Sequence, residues 1–543
     1  MKRLASIALL VFPVFVQPLF AQAEDHSQQV DQIFAEFVRP GSPGCSLGVI
    51  RDGQFVYRNA YGEASLELGV PLSPESVFYV GSISKQFTAA SVVLAAEQGF
   101  LSLDDDVRKY IPELPDYGHT ITLREMLNQT SGFRDLFSLI YLSGHDAANF
   151  NSPGEVLKLI ERQRGLNNVP GGEWVYSNTN YFLLGIVLKR ATKKTLAEFA
   201  ADNIFQPLGM THTRIYDNAS VVVPGRVAAY DPGKDGSFVV DWSTTYAIVG
   251  AGGLMTTVDD LLKWDGNFYL NRLGKGTLVK ELETRGTLND GKRTNYGMGL
   301  VLGSYRGLPI VEHNGALFGY RADFLRFPEQ KFTAVCLCNV SNAGPELRTR
   351  KVADVYLKGD LQSDAMTEPE TARTLPDPGE FAGQYLDPRT KTIYSFSAAN
   401  GQLQGWGSAL RRKDANQFYD LFGDVITFQK AGGSMKAALD MNGETYFAGE
   451  KLGEFDLSEA ELRDFAGNYQ SRETESELEI KLEQGHLSLR IGTGSPVKLT
   501  AIAKNEFNAG GSFVIVFRRN AGRVSGLSVF ATEARGIEFD RQN

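Results

Sequence analysis

The sequence predicts an α/β chain of the α+β kind, in which an antiparallel sheet carries an inserted helical region and is followed by two small antiparallel β-barrel domains. Alternating stretches flank Asp52-Gly53, helical periodicity runs from about residue 83 to 270, and strand-like stretches return between 308 and 340. A polar, proline-containing segment follows. Beyond it, Phe381-Ala382-Gly383-Gln384-Tyr385 recurs 84 residues later as Phe465-Ala466-Gly467-Asn468-Tyr469, and Gly401-x-Leu403 recurs at the same offset as Gly485-x-Leu487. Matches at one offset indicate a duplicated tail.

The chain begins with a basic pair, Lys2 and Arg3, then an apolar run broken by Pro13 and Pro18, then Ala21-Gln22-Ala23 as a small-residue cleavage site. This is the pattern of a removable secretory signal peptide over residues 1–23, and it predicts a secreted, periplasmic protein. No later run is apolar enough to span a bilayer, so no membrane span is expected once the signal is gone.

Residues 24–358 form the first predicted domain. "CSLGVIRDGQFVYRNAYGEA" reads as two short strands about an Asp52-Gly53 hairpin turn. Helical stretches follow, including "SKQFTAASVVLAAEQGF", "NYFLLGIVLKRAT" and, behind a Thr257-x-x-Asp260 capping signal, "VDDLLKWDGNFYL". Strands return as "LPIVEHNG", "YRADFLRF" and "KFTAVCLCNV", the last two joined by a Pro328-Glu329-Gln330 turn, and "PELRTRKVADVYLKG" closes with a helix. Residues 359–378, with Pro369, Pro376 and Pro378, read as a linker. The two tail repeats occupy 379–452 and 457–543, each with alternating stretches and an Asn-x-Phe, at Asn416 and Asn505.

Composition narrows the partners. With 55 Lys and Arg against 64 Asp and Glu, the net charge of −9 and the lack of basic runs argue against nucleic acid. Three cysteines are too few for a disulfide scaffold and the six histidines show no metal-ligand spacing, so neither metal nor cofactor is expected. The sequence carries no signal of oligomeric state.

Three patterns carry chemistry: Ser82-Ile83-Ser84-Lys85, Tyr176-Ser177-Asn178 and His313-Asn314-Gly315. Ser495-x-x-Lys498 also matches the first, and Tyr57-x-Asn59 and Tyr216-x-Asn218 match the second, so context decides. Residues three apart share a helix face, which sets the Lys85 ammonium beside the Ser82 hydroxyl at a helix start. Pro496 and its alternating neighbours place Ser495 in sheet. Serine is a poor nucleophile unless a base takes its proton, and a desolvated lysine or a tyrosine beside a cation can serve.

The ordered set, spaced by 94 and 137 residues, resembles the serine penicillin-recognising family, which includes class C β-lactamases, DD-peptidases and D-stereospecific aminopeptidases. The resemblance covers roughly residues 30 to 358, with "LNQTSGF", "VYSNTNYFLLG", "FQPLGMTHT" and "AGGLMTT" as flanking matches. It implies a β-lactamase/transpeptidase-like fold and a catalytic set of Ser82 as acyl-accepting nucleophile, Lys85 and Tyr176 as the proton-transfer pair, and His313. Asn178, Asn314, Gly315 and Ala316 would bind substrate, with the backbone N–H groups of Ser82 and Ala316 as oxyanion hole.

The third motif departs from the Lys-Thr-Gly of the family's β-lactamases, and the missing lysine removes a permanent charge for a substrate carboxylate. Histidine there resembles some DD-peptidases and D-aminopeptidases, and the duplicated β tail resembles the D-aminopeptidases in particular, in which a tail loop reaches the site. The expectation is therefore a secreted serine hydrolase acting through a Ser82 acyl-enzyme on small D-amino-acid-containing peptides or amides. A β-lactamase or carboxylesterase is the alternative enzyme, and a non-catalytic cell-wall or penicillin-binding protein the alternative class. The tail is expected to affect substrate choice more than chemistry.

Two other motifs read as structural. Gly44-Cys45-Ser46-Leu47-Gly48 has the spacing of a nucleophile elbow, but strand and hairpin follow it where a helix should. Gly250-Ala251-Gly252-Gly253 reads as a loop against the site. In the resembled fold the strands of Cys45 and of Cys336 and Cys338 are neighbours, which makes one bridge geometrically possible; three buried free thiols are the expectation.

Overall fold

Asp52 and Gly53 both take positive φ, 51° and 76°, the geometry that a two-residue hairpin turn needs to match strand twist. They join β1 (Cys45–Arg51) to β2 (Gln54–Tyr61). A computed structural model describes this hairpin and the rest of residues 26–145, 152–241, 248–362, 375–441, 444–511 and 513–542. The expected signal peptide and most of the expected linker lie outside the described residues.

Four more strands complete the sheet: β3 (Val301–Tyr305), which sequence reading left out, β4 (Leu308–Leu317), β5 (Tyr320–Phe327) and β6 (Phe332–Cys338). Their order is β3-β4-β5-β6-β1-β2, antiparallel throughout. The first hairpin is thus closed by the last strand, and the helices between them are an insertion. Side chains alternate between two cores: Leu47, Val49, Leu325, Phe327 and Cys336 face one side, and Ile50, Phe324, Val335 and Leu337 the other.

The insertion supplies α1 (Ser84–Glu97), α2 (Leu136–Leu142), α3 (Asn178–Thr192) and α4 (Val258–Leu270), and α5 (Pro345–Tyr356) follows the last strand. α5 packs on β5 and β6. α4 packs on β1 and β6 and is capped as expected, Thr257 accepting from the Asp260 N–H. α1 is buried from Ser84 through Ala95, which is why its sequence shows no polar stripe.

The cysteine expectation is overturned. Register sets Cys45 directly opposite Cys338, and the two form a disulfide, leaving Cys336 as a buried thiol. The strand adjacency implied by the resemblance decides the matter, because residues facing each other across an antiparallel pair bring their Cβ atoms within bridging distance.

The tail repeats are alike at their hearts. Tyr385 and Tyr469 are wholly buried, and each donates its hydroxyl to the carbonyl four residues back, Phe381 at 2.8 Å and Phe465 at 2.7 Å. Their perimeters differ. The eight strands between Gly467 and Arg541 close into a barrel, whereas the nine between Gly383 and Lys451 curl into a nearly closed sheet whose end strands are only Ser408–Ala409 and Arg411–Arg412.

Candidate active site

Gly81 to Ile83 form a single tight turn that runs into α1, so Ser82 stands just ahead of the helix and Lys85 in its first turn. The Lys85 Nζ lies 3.0 Å from Ser82 Oγ, 2.8 Å from Asn178 Oδ1 and 2.9 Å from the Ala251 carbonyl. The Tyr176 hydroxyl reaches Ser82 Oγ at 3.0 Å. The structure therefore brings together Ser82, Lys85, Tyr176 and Asn178 from two separate segments, and the glycine loop at 250–253 abuts them.

The other matches are placed elsewhere. Ser46 lies within β1 and donates to the Ser73 carbonyl, Ser495 is an exposed residue ahead of a strand, and Tyr57 bonds to Asp31 and Tyr61.

β4 is held against the Ser82 turn by the absence of two side chains. A Cβ on Gly315 would meet the Val80 carbonyl oxygen at 2.0 Å, and one on Gly81 would meet the Ala316 nitrogen at 2.6 Å. The two glycines let the Ser82 and Ala316 backbones approach, and both residues line one small space. That space, about 20 Å³, is lined by Tyr79, Phe137, Asn178, Ala251, Ala316 and Leu317 among others.

His313 and Asn314 behave differently from each other. His313 is buried; its Nδ1–H donates to the Asn314 carbonyl at 2.7 Å, which leaves Nε2 to accept from the Tyr296 hydroxyl at 3.1 Å. Burial and the Lys85 charge push the imidazole pKa down to about 3, so it is neutral in use. Asn314 donates its amide to Glu346 of α5 at 2.9 Å, so that side chain is already engaged.

Electrostatics favour uncharged groups. Burial lowers the Lys85 pKa to about 7, with Asp135 and Glu533 opposing the shift. Burial, and after it Tyr296, raises Tyr176 well above its ordinary value, so it is a phenol at neutral pH.

Four contributors escaped sequence reading. Gln129, at φ 63°, accepts from the Ser177 N–H and the Asn180 amide and so fixes the Tyr176 turn. Tyr296 orients His313. Asp135 caps α2 through Phe137 and Ser138, and its other oxygen accepts from the backbone and the side-chain amide of Asn178. An aspartate ahead of an apolar helix was legible as a cap, but its second task was not.

The fourth is Glu533, in the loop between the strands Arg523–Phe530 and Ile537–Arg541 of the closed barrel. Its carbonyl accepts from the Asp135 N–H at 2.8 Å and from Asn167 at 2.9 Å. Arg134 grips the same loop through the carbonyls of Arg535 and Gly536 and pairs with Glu473 at 2.7 Å, both partners buried. Among the described residues the Glu533 carboxyl accepts no hydrogen bond. Burial and the neighbouring Asp135 push its pKa up to about 8, against the pull of Lys85.

A family model described as Beta-lactamase matches residues 30–357. A D-aminopeptidase of Brucella anthropi is 25% identical over 527 residues, covering 92% of this chain and 95% of that protein. A D-aminopeptidase of Brucella melitensis biotype 1 is 24% identical, covering 92% and 96%. Among solved structures, the octameric penicillin-binding protein homologue from Pyrococcus abyssi aligns with a TM-score of 0.54 at 20% identity over 86% of this chain and 98% of its own. The D-amino acid amidase from Ochrobactrum anthropi SV3 complexed with L-phenylalanine amide aligns at 0.53 and 21% identity, over 62% and 99%. These structural likenesses speak to fold.

Proposed function

The chain belongs to the beta-lactamase family and is a serine hydrolase, and from that premise we propose that it is an exported enzyme that releases amine-bearing D-amino acid residues from short peptides and amides through an acyl-enzyme on Ser82. The observation that carries the substrate reading is the docking of the Glu533 loop, whose carbonyl accepts from the Asp135 N–H at 2.8 Å and from Asn167 at 2.9 Å and so brings to the partners of Asn178 a carboxyl without a hydrogen-bond donor among the described residues. A substrate ammonium supplies that donor and favours the carboxylate. The neutral His313 supports the same reading, since it offers no charge to a substrate carboxylate. The D-aminopeptidases similar over nearly the whole chain, tail included, support the D-configuration.

Neutral Lys85 keeps two N–H groups for Asn178 and Ala251 and turns its lone pair to Ser82. As Oγ attacks the carbonyl carbon, its proton passes to Nζ and the oxyanion settles between the Ser82 and Ala316 N–H groups. The Tyr176 phenol, a donor at this pH, protonates the departing nitrogen and is re-protonated from Lys85. Water then repeats the sequence on the ester and frees Ser82.

Hydrolysis of D-Ala-p-nitroanilide, its N-acetyl counterpart and the L-isomer tests this. Turnover should favour the free-amine D-substrate and vanish in Ser82→Ala. Glu533→Gln should cut kcat/KM for the free amine by about 10- to 100-fold, as expected for a lost hydrogen bond between charged groups. Equal rates on the free and acetylated D-substrates, or preference for the L-isomer, would overturn the proposal.

A further inference from the structure

Where the two tail modules meet the catalytic part there is a second cavity, of about 730 Å³, walled by Ser138, Tyr394, Trp406, Tyr446, Phe513 and Glu533. Each of the three parts of the chain contributes: Ser138 from α2, Tyr394, Trp406 and Tyr446 from the nine-stranded sheet, and Phe513 and Glu533 from the closed barrel. It exceeds the space over Ser82 many times and matches a pocket for a ligand of several residues' bulk.

Two features relate it to the reaction. Glu533 borders the cavity while its own main chain is tied to Asp135 and so to Asn178. On the other flank a chain of packed rings joins Tyr176 to the cavity wall: Tyr176 to Tyr296 at 6.4 Å between centroids, Tyr296 to Trp174 at 6.0 Å, and Trp174 to Tyr446 at 5.6 Å. Tyr176 is the group proposed to protonate the departing nitrogen, so this flank is the leaving-group side.

The walls have a definite chemistry. Trp406 is 51% exposed and sits at φ 49°, a left-handed conformation that bulky residues seldom adopt, at a hairpin tip ahead of Gly407. Its neighbours Tyr394 and Phe396 meet it edge to face, at 72° and 90°, and Phe513 stacks on Tyr141. Ser138 and Thr532 line the same cavity. Aromatic surface interspersed with hydroxyls suits a peptide, whose apolar side chain packs on the rings and whose amides bond to the hydroxyls.

We propose that this cavity binds the departing portion of a peptide substrate, selecting a bulky apolar residue immediately beyond the scissile bond, with Trp406 as its principal contact. The substrate is then a short peptide with a small D-residue at its amino end and an aromatic or large aliphatic residue next. This rests on the amine-first reading above, and it adds a second specificity site that the catalytic residues do not supply.

The test compares D-Ala-Phe-Ala with D-Ala-Gly-Gly. The wild type should favour the first in kcat/KM, and Trp406→Ala should lower that ratio by about tenfold, the size expected when a pocket loses one apolar contact, while Trp406→Phe retains most of it. A ratio near one in the wild type, or a ratio unmoved by Trp406→Ala, overturns the proposal. Titration of the Ser82→Ala protein with the free dipeptide Phe-Ala, followed by tryptophan fluorescence, separates this from the catalytic reading. Saturable quenching that disappears when Trp406→Ala is added supports the cavity even if neither tripeptide is cleaved, and no saturable binding sinks it even if both are. Thermal melting of each variant shows that the loss is not one of folding.

Discussion

Lys85 has three acceptors within 3.0 Å, enough to satisfy every proton of an ammonium, yet it is wholly buried and inclined to give one up. Burial disfavours the charged amine, the carboxylates of Asp135 and Glu533 oppose it, and a pKa of about 7 is their balance. Only the neutral amine takes the Ser82 proton, so kcat/KM for a nitrophenyl ester should rise with pH through about 7. Glu533, at about 8, lies in the same field, where burial and Asp135 raise its pKa and Lys85 lowers it. Removing that carboxylate with Glu533→Gln takes a negative charge away from the ammonium, so the rising limb should move to lower pH. A limb that stays put would show that the two groups are not coupled. His313, neutral above about 3, contributes no limb between pH 4 and 9.

At the level of strands and turns, the approach of β4 to the Ser82 turn is the most exacting feature. Gly315→Ala would set a methyl 2.0 Å from the Val80 carbonyl, so the strand must retreat and carry the Ala316 N–H with it. A displacement near 1 Å in a catalytic array loses about 100-fold in rate. The acylation rate with nitrophenyl acetate should fall by that order while melting shifts only modestly; an unchanged rate would mean that the Ala316 N–H does not hold the oxyanion. Much of this was legible in the sequence where the spacings are local, in Asp52-Gly53 for the hairpin and Ser82 and Lys85 for the helix start, and the recurrence of Phe381–Tyr385 as Phe465–Tyr469 marked the duplicated tail. β3 went unseen because five residues ending in Gly303-Ser304-Tyr305 show too little alternation, and their strand state comes from pairing with β4. Glu533 went unseen for a different reason. Nothing in Ala531-Thr532-Glu533-Ala534 is periodic or motif-like, and its place against Asp135 arises from docking between residues hundreds of positions apart.

That docking makes the tail part of the site. The Arg134–Glu473 pair spans 339 positions and leaves its partners 7% and 3% exposed. Removing one partner of a buried pair strands the other charge and typically costs about 3–5 kcal/mol. Glu473→Ala should therefore lower stability by that order in urea unfolding and weaken the preference for free-amine substrates, because the Glu533 loop hangs from the same arginine. Loss of stability with the amine preference intact would separate anchoring from recognition. A chain cut at the linker would also bare Arg134 and the Tyr141 ring that Phe513 covers, so single substitutions report on the tail more cleanly than truncation. The sheet has a comparable long-range closure with a consequence for biosynthesis. β1 lies between β2 and β6, and Cys45 finds its partner 293 positions later. A ribosome makes the hairpin first, so until β6 emerges β1 presents an unpaired apolar edge bearing a free thiol. During that interval a second nascent chain offers the same edge and the same thiol, and covalent dimers through Cys45 are the product this strand order exposes the protein to while it is being made.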